Sequence, residues 1–238
     1  MKRVPFLLVA LFCLTVASQS VAQVFLPPFE GFSKKKPSYL TMENGEEIEC
    51  NFKKFSFKKG LIEEIKIVNS KEEKIKIEAD NIKHMYIPPS GLAKLNADLG
   101  FITDADNWDN EEYEQEILGR GYAYFEKVDV QVKKKKNFVL MMQMLNPSFS
   151  SKIKVYHDPY AAETMSVGMG PISAGGDDKS YFILVNGEKR AYKMEKKDYD
   201  EKFKDLFGDC SAVMKKYGAK PKWSEFAEAL HMYSTECN

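Results

Sequence analysis

Alternating apolar and polar residues are the feature that most constrains the fold of this chain. In the stretch EEIECNF, Ile48, Cys50 and Phe52 share one face of an extended strand, and polar residues occupy the other face. The same alternation recurs in EIKIV, KIKIE, YAYFEKVDVQV and KIKVYHD. Asn-Gly dipeptides at residues 44–45 and 186–187 mark tight hairpin turns. The sequence therefore predicts a protein built mainly from antiparallel β-strands.

The fold class expected from these patterns is α+β, mostly β. A small N-terminal barrel-like β module is followed by an antiparallel sheet that C-terminal helices cap, because a small, strongly bent sheet buries its edges best by closing. The predicted divisions are a signal peptide (1–22), a lead-in linker (23–38), the barrel-like module (39–90), an acidic connector (91–118) and the sheet with its helices (119–238).

Two segments have patterns of a different kind. In KKDYDEKFKDLFGD, Tyr199, Phe203, Leu206 and Phe207 follow helical spacing and predict an amphipathic helix against the second sheet. The apolar run NFVLMMQMLN, residues 137–146, fits a buried strand or a short helix equally well, because periodicity alone does not separate the two.

The N-terminus has the order of a secretory signal peptide. Lys2 and Arg3 precede an apolar stretch over residues 6–16, and small residues lead to a cleavage site between Ala22 and Gln23. The apolar stretch is too short to span a bilayer, and no later segment is long and apolar enough to do so. The sequence therefore predicts an exported protein without a membrane span, located in a periplasm, outside the cell or at its surface.

Composition excludes two classes of partner. The chain has 35 basic and 35 acidic residues, so removal of the signal peptide leaves a net charge of about −2. No strong field attracts this chain to nucleic acid or to a charged membrane. The hydrophobic content of 44% is typical of a folded globular protein.

Three cysteines would remain after export, and two of them bracket a pair of short helical patterns near the C-terminus. Cys210 would lie in the first turn of one helix, with Asp209 as its N-cap, and Cys237 in the last turn of the next. Antiparallel helices bring those turns together, so we expect a Cys210–Cys237 disulfide. A metal site with His231 and a cysteine nucleophile are the alternatives. Cys50, on a predicted core face, is left as a buried thiol.

No motif for catalysis, for a cofactor or for a metal is complete in this chain. His157 and Asp158 could form an oriented base, but no nucleophile turn accompanies them. The acidic run over residues 104–116 fails the calcium-loop pattern, and the glycines of residues 166–178 lack the strand and helix of a phosphate loop. Carboxylate pairs of the glycosidase type remain open, because their spacing is spatial. We therefore predict no catalytic, cofactor-binding or metal-binding residue.

Two stretches are similar to known families. LTMENGEEIECNF and the strands after it resemble a small SH3-like or Sm-like barrel, but Glu78, Ala79 and Asp80 stand where an Sm-type RNA site needs a basic residue and a glycine. The stretches SKIKVYHDPYAAETMSVGMG and KSYFILVNGEKRAYKMEKKDYDEKFKDLFGDC resemble uncharacterised secreted proteins common in Bacteroidetes. This resemblance implies an exported envelope protein with a structural cysteine pair.

The function expected from the sequence is non-enzymatic binding or assembly in the cell envelope. The expected partner is an envelope protein or a glycan. The sequence does not indicate the oligomeric state. The alternative is a periplasmic hydrolase that uses carboxylate or His157-based chemistry.

Overall fold

The computed structural model describes residues 25–29, 31–58, 61–90, 112–133, 136–161 and 179–237. The predicted signal peptide with its Ala22–Gln23 cleavage site, the glycine-rich segment and most of the acidic connector lie outside these residues. Ten strands are described: β1 (Pro37–Met42), β2 (Glu47–Lys58), β3 (Leu61–Asn69), β4 (Lys74–Glu78), β5 (Ile82–Ile87), β6 (Ala123–Lys133), β7 (Lys136–Gln143), β8 (Ile153–His157), β9 (Ser180–Val185) and β10 (Ala191–Glu195). The helices are α1 (Gln115–Gly119), α2 (Tyr199–Phe207), α3 (Ser211–Tyr217) and α4 (Phe226–Glu236).

All ten strands belong to one open sheet, in the order β4-β3-β2-β1-β5-β6-β10-β9-β8, with β7 paired to β6. The predicted fold class, α+β and mostly β with C-terminal helices, is confirmed. Every pairing is antiparallel except that of β10 with β6, which is parallel at Ala191↔Val130 and Tyr192↔Gln131. The β5–β6 pairing joins the N-terminal strands to the later ones. The ambiguous run beginning at residue 137 is strand β7.

The N-terminal strands share a core of aliphatic and phenylalanine side chains. Cys50 and Phe52 lie on its inner face, 4% and 0% exposed, as their alternation predicted. The register of β2 against β3 shifts between Phe52 and Lys54, and this bulge returns Phe55 to the same core. The other fully buried members are Leu40, Ile65, Ile67, Ile82, Met85 and Ile87.

The later strands separate two further cores. On β8, Val155 faces the C-terminal helices, whereas its neighbour Tyr156 faces a core rich in tyrosine. Neighbouring residues of a strand point to opposite faces, so the same short strands serve both layers. The predicted face of α2 is confirmed, because Tyr199, Phe203, Leu206 and Phe207 are all buried on the helix side.

One predicted helix cap is wrong. Asp209 does not cap α3; Cys210 occupies the N-cap position in an extended conformation, and its Sγ accepts a hydrogen bond from the Val213 amide at 3.4 Å. The Asp209 carboxylate instead accepts a hydrogen bond from the Tyr233 hydroxyl at 2.9 Å, across the helical hairpin. The capping group is therefore one residue later in the chain than predicted.

The segment before β1 has almost no regular structure, yet it packs onto both halves of the protein. Phe25 lies in the helix-side core, and Phe29 packs on the N-terminal core. The buried Gln143 amide holds this segment in place by donating to the Pro27 carbonyl and accepting from the Phe29 amide. Among the described residues, no helix is both long and apolar enough to cross a bilayer.

Candidate functional site

A carboxylate on an otherwise apolar strand face organises the tyrosine-rich core. Glu126 of β6 accepts hydrogen bonds from the Tyr156 hydroxyl at 2.5 Å and from the Tyr124 hydroxyl at 3.3 Å. The Lys154 ammonium lies 3.4 Å from the same carboxylate, whose side chain is 17% exposed. Two strands distant in the sequence, β6 and β8, are thus joined by a charge-assisted network.

Burial keeps the hydroxyls of this network protonated. Loss of solvation raises the pKa values of Tyr124 and Tyr156 far above the usual range, and the nearby negative charge of Glu126 adds to the effect. Burial also raises the pKa of Tyr86 to about 12. The hydroxyls of Tyr124 and Tyr156 therefore stay protonated at any physiological pH and donate to Glu126.

Lys154 connects this network to a surface cleft. Its ammonium lies 3.9 Å from a carboxylate oxygen of Glu112 and 5.4 Å from the ring centroid of Tyr113. The cleft beside it has a volume of about 300 Å³. Its lining residues are Glu112, Ser150, Ser151, Lys152, Lys154, Leu184, Val185, Asn186, Gly187 and Glu188.

One wall of the cleft is the β7–β8 connection, which a buried asparagine shapes. The Asn146 side chain donates to the Phe149 and Ile153 carbonyls, at 3.1 and 2.8 Å, and accepts from the Val155 amide at 2.7 Å. Asn146 is fully buried, and these side-chain bonds go to the backbone of the connection and of β8. The connection therefore has a supported backbone where it lines the cleft, and the buried Ser150 hydroxyl adds to this support by donating to the Pro147 carbonyl at 3.1 Å.

The opposite wall is the β9–β10 turn at Asn186 and Gly187. The Asn186 amide donates to the Lys152 carbonyl at 2.8 Å, so the turn is tied to the first wall. Gly187 has a φ of +87°, which a residue with a Cβ adopts only under strain. The Asn-Gly signal of the sequence thus correctly located a turn that frames the cleft.

The C-terminal helix holds the second lysine of the cleft. The Lys152 ammonium donates to the Tyr233 carbonyl at 3.3 Å and lies 4.7 Å from the centroid of the same tyrosine ring. Tyr233 also bonds Asp209, as described above, and its ring packs edge-on to Phe207. The position of this cation therefore depends on the helical hairpin.

His157 and Asp158 are not among the residues that line this cleft. Asp158 is completely buried, and its carboxylate accepts from the Ser180 hydroxyl at 2.7 Å and pairs with the Lys193 ammonium at 2.8 Å. It also accepts from the Tyr160 amide at 2.9 Å. The carboxylate that could have oriented His157 is thus occupied in tying β8, β9 and β10 together.

Cys210 and Cys237 are brought together at disulfide distance, with their Cα atoms 5.6 Å apart, as the helical patterns predicted. Their helices α3 and α4 pack against each other. His231, the third member of the alternative metal site, packs edge-on to the Phe149 ring at 5.3 Å. Within the described ranges, no group of three His, Cys, Asp or Glu side chains could hold a metal ion.

Cys50 should be unreactive in the folded protein. Burial raises the pKa of its thiol to about 12, and the neighbouring Glu49 charge contributes. Because only the thiolate attacks alkylating reagents, iodoacetamide at pH 8 should leave Cys50 unmodified until denaturant is added. Mass spectrometry of the peptide containing Cys50 checks this, and rapid labelling in native buffer would contradict it.

Sequence reasoning missed Glu126, although a signal for it is present. In YAYFEKVDVQV, alternation places Tyr122, Tyr124, Val128 and Val130 on one face, and Glu126 falls on that same face. A single acid on an apolar strand face needs buried partners. Two of its partners, Lys154 and Tyr156, lie on β8, 28 and 30 residues further along the chain, so their pairing with Glu126 was not visible in the sequence.

Substituting Glu126 with glutamine should lower the free energy of unfolding by about 1.5–3 kcal/mol, because it removes the charge that two hydroxyls and an ammonium share. The glutamine side chain would also point its N–H donors toward the hydroxyl and ammonium donors that now bond to the carboxylate. Urea denaturation followed by circular dichroism measures the change. The matched control is Glu63→Gln, since an exposed ion pair such as Lys58–Glu63 should contribute little to stability. Equal effects of the two substitutions would show that the Glu126 network adds no stability.

Known proteins provide no guide to this site. No family model matches the chain, and neither a curated protein nor a solved structure shows significant similarity to it. The resemblances to an SH3-like barrel and to secreted Bacteroidetes proteins stay predictions.

Proposed function

We propose that the protein is an exported, non-enzymatic binding protein of the cell envelope, and that the cleft holds a glycan unit. The observation that supports this is the lining of the cleft, which combines lysine, serine, asparagine and glutamate residues, side chains that supply both hydrogen-bond donors and acceptors. A sugar hydroxyl both donates and accepts, so it fits such a mixed surface better than a simple ion does. A volume of about 300 Å³ accommodates a ligand of one or two sugar rings.

The charges of the cleft also favour a neutral ligand. Lys154 already has Glu126 and Glu112 as partners, and Lys152 already donates to a carbonyl. An anionic ligand would compete with these carboxylates for the same cations, whereas a neutral polyhydroxylated ligand adds bonds without displacing them. Fixed donors and acceptors of this kind provide orientation and specificity.

Titration of the mature chain, beginning at Gln23, against a panel of mono- to tetrasaccharides from bacterial envelopes tests the proposal. Lys152→Ala should weaken binding by at least about tenfold, the effect of losing one well-placed polar contact. Lys202→Ala is the matched control, because Lys202 on α2 does not line the cleft and forms an exposed pair with Asp205. Absence of any saccharide binding, or equal losses in both variants, would contradict the assignment of the cleft.

A second candidate is a hydrolase, because two carboxylates, Glu112 and Glu188, line the same cleft. Carboxylate pairs can cleave glycosidic bonds as acid and nucleophile or base. Mass spectrometry of the saccharides after incubation separates the two functions. Intact saccharides support binding alone, whereas cleavage that Glu112→Gln or Glu188→Gln abolishes would establish the hydrolase.

A further inference from the structure

The tripeptide Asn-Gly-Glu occurs twice in this chain, at residues 44–46 and 186–188. Each copy lies in an exposed turn, and the glycine of each has a positive φ, +86° at Gly45 and +87° at Gly187. An asparagine side chain before a glycine is open to attack by the next backbone nitrogen, because glycine has no Cβ to shield that nitrogen. The two copies match in sequence and exposure, so the hydrogen bonds around them decide how they differ in reactivity.

Hydrogen bonds hold both reacting groups of the first copy. The Gly45 amide donates to the Met42 carbonyl at 2.9 Å, so the attacking nitrogen is engaged. The side-chain carbonyl of Asn44 accepts from the Glu46 amide, also at 2.9 Å, so the attacked carbonyl is engaged as well. Both bonds must break before the Gly45 nitrogen can reach the Asn44 side chain.

The second copy occupies a different place in its turn. Asn186 and Gly187 are the two central residues, and the turn is closed by the Glu188 amide, which donates to the Val185 carbonyl at 3.0 Å. Such a closing bond uses the amide of the fourth residue and not that of the third. Among the residues that the structure describes, neither the Gly187 amide nor the Asn186 side chain has a hydrogen-bond partner. The Asn186 backbone amide donates to the Lys152 carbonyl, but that bond involves neither reacting group.

We propose that Asn186 is a site of spontaneous deamidation and that Asn44 is protected from the same reaction. The Gly187 nitrogen loses its proton to hydroxide and forms a bond to the side-chain carbon Cγ of Asn186. The bond from Cγ to the side-chain nitrogen breaks, and that nitrogen takes a proton from water and leaves as ammonia. Water then opens the resulting cyclic imide at either of its carbonyls, which gives aspartate or isoaspartate. The reaction uses only water and hydroxide, and the proximity of the two groups within one turn favours it.

The modification changes the surface cleft. Asn186 lines this cleft together with Glu188, Lys152 and Lys154. Either product replaces a neutral amide with a carboxylate, and isoaspartate also lengthens the backbone of this wall by a methylene group. The cleft of an old molecule is therefore more negative than that of a newly made one. The reaction is a property of the turn alone, so it does not rest on the saccharide proposal.

Peptide mapping by mass spectrometry tests the proposal on the folded mature chain, beginning at Gln23, after several weeks at pH 8. The peptide that contains Asn186 should gain the mass difference between an amide and a carboxylic acid. This gain should be at least about tenfold faster than that of the peptide with Asn44, where two hydrogen bonds must break first. Incubation at pH 6 should slow the reaction at Asn186, because hydroxide removes the proton from the attacking nitrogen.

Two controls separate the role of the fold from that of the sequence. In urea both copies should react at similar rates, because each reads Asn-Gly-Glu and neither keeps its turn. Gly187→Ala should slow the reaction at Asn186 and Gly45→Ala should leave it unchanged, and an added Cβ meets no atom within 4 Å at either glycine. The proposal is overturned if Asn186 stays intact in the folded chain, or if Asn44 reacts as fast there. It is also overturned if the difference persists in urea, or if Gly187→Ala leaves the rate at Asn186 unchanged.

Discussion

Replacing Phe226 with alanine should lower the free energy of unfolding by about 3–5 kcal/mol, the usual loss for a large aromatic residue in a core. Phe226 is 1% exposed at the start of α4. Its ring lies 5.3 Å from Tyr199, 5.5 Å from Trp223 and 5.6 Å from Phe25, centroid to centroid. The substitution would therefore open a cavity where the C-terminal helices, α2 and the N-terminal segment meet.

Chemical denaturation monitored by tryptophan fluorescence measures this loss, since Trp223 stacks on the substituted ring. Phe57→Ala is the control, because Phe57 is 60% exposed and its removal should cost about 0.5 kcal/mol or less. Domain stabilities are about 5–15 kcal/mol, so Phe226→Ala could consume much of the total. A loss no larger than that of the control would show that this aromatic cluster is dispensable.

Removing the Cys210–Cys237 link should cost about 3.5 kcal/mol in the chain-entropy model, which depends on the 27-residue separation of the two cysteines. The double variant Cys210→Ser/Cys237→Ser isolates this effect unusually well. Serine is a favourable N-cap residue, so it can replace the Sγ that accepts from the Val213 amide. Thermal unfolding of the oxidised original chain and of the double variant gives the difference.

Reduction of the original chain provides the internal control for this experiment. Dithiothreitol should lower its melting temperature toward that of the double variant and leave the double variant unchanged, because Cys50 is then the last thiol of a chain beginning at Gln23 and is buried. Unfolding that is insensitive to reductant would show that the two sulfurs do not form a stabilising bond.

Sequence patterns predicted the structural features that depend on residues close together in the chain. The alternation that placed Cys50 and Phe52 inward, and the helical spacing that placed Cys210 beside Cys237, act over a few residues or one helical hairpin. Such patterns follow directly from the periods of strand and helix. The N-cap of α3 was missed by one residue because Asp209 has a competing partner, Tyr233, on another helix.

Long-range pairing could not be predicted in the same way. The parallel contact of β10 with β6 joins residues about 60 positions apart. The alternation of apolar and polar residues in a strand is the same whichever strand pairs with it, so it does not reveal the partner. The same holds for Glu126, whose partners Tyr156 and Lys154 lie on β8. The candidate cleft therefore required the structure, although its Asn-Gly turn was visible in the sequence.

The cleft is assembled from three distant parts of the chain: Glu112, the connection into β8, and the β9–β10 turn. None of these parts forms the cleft alone, so a ligand that recognises it binds the folded chain and not the unfolded one. Such a ligand stabilises the native state by about 2.7 kcal/mol when its concentration is 100 times its Kd. Because proteases cleave the unfolded state, the ligand-bound protein would be degraded more slowly than the ligand-free protein.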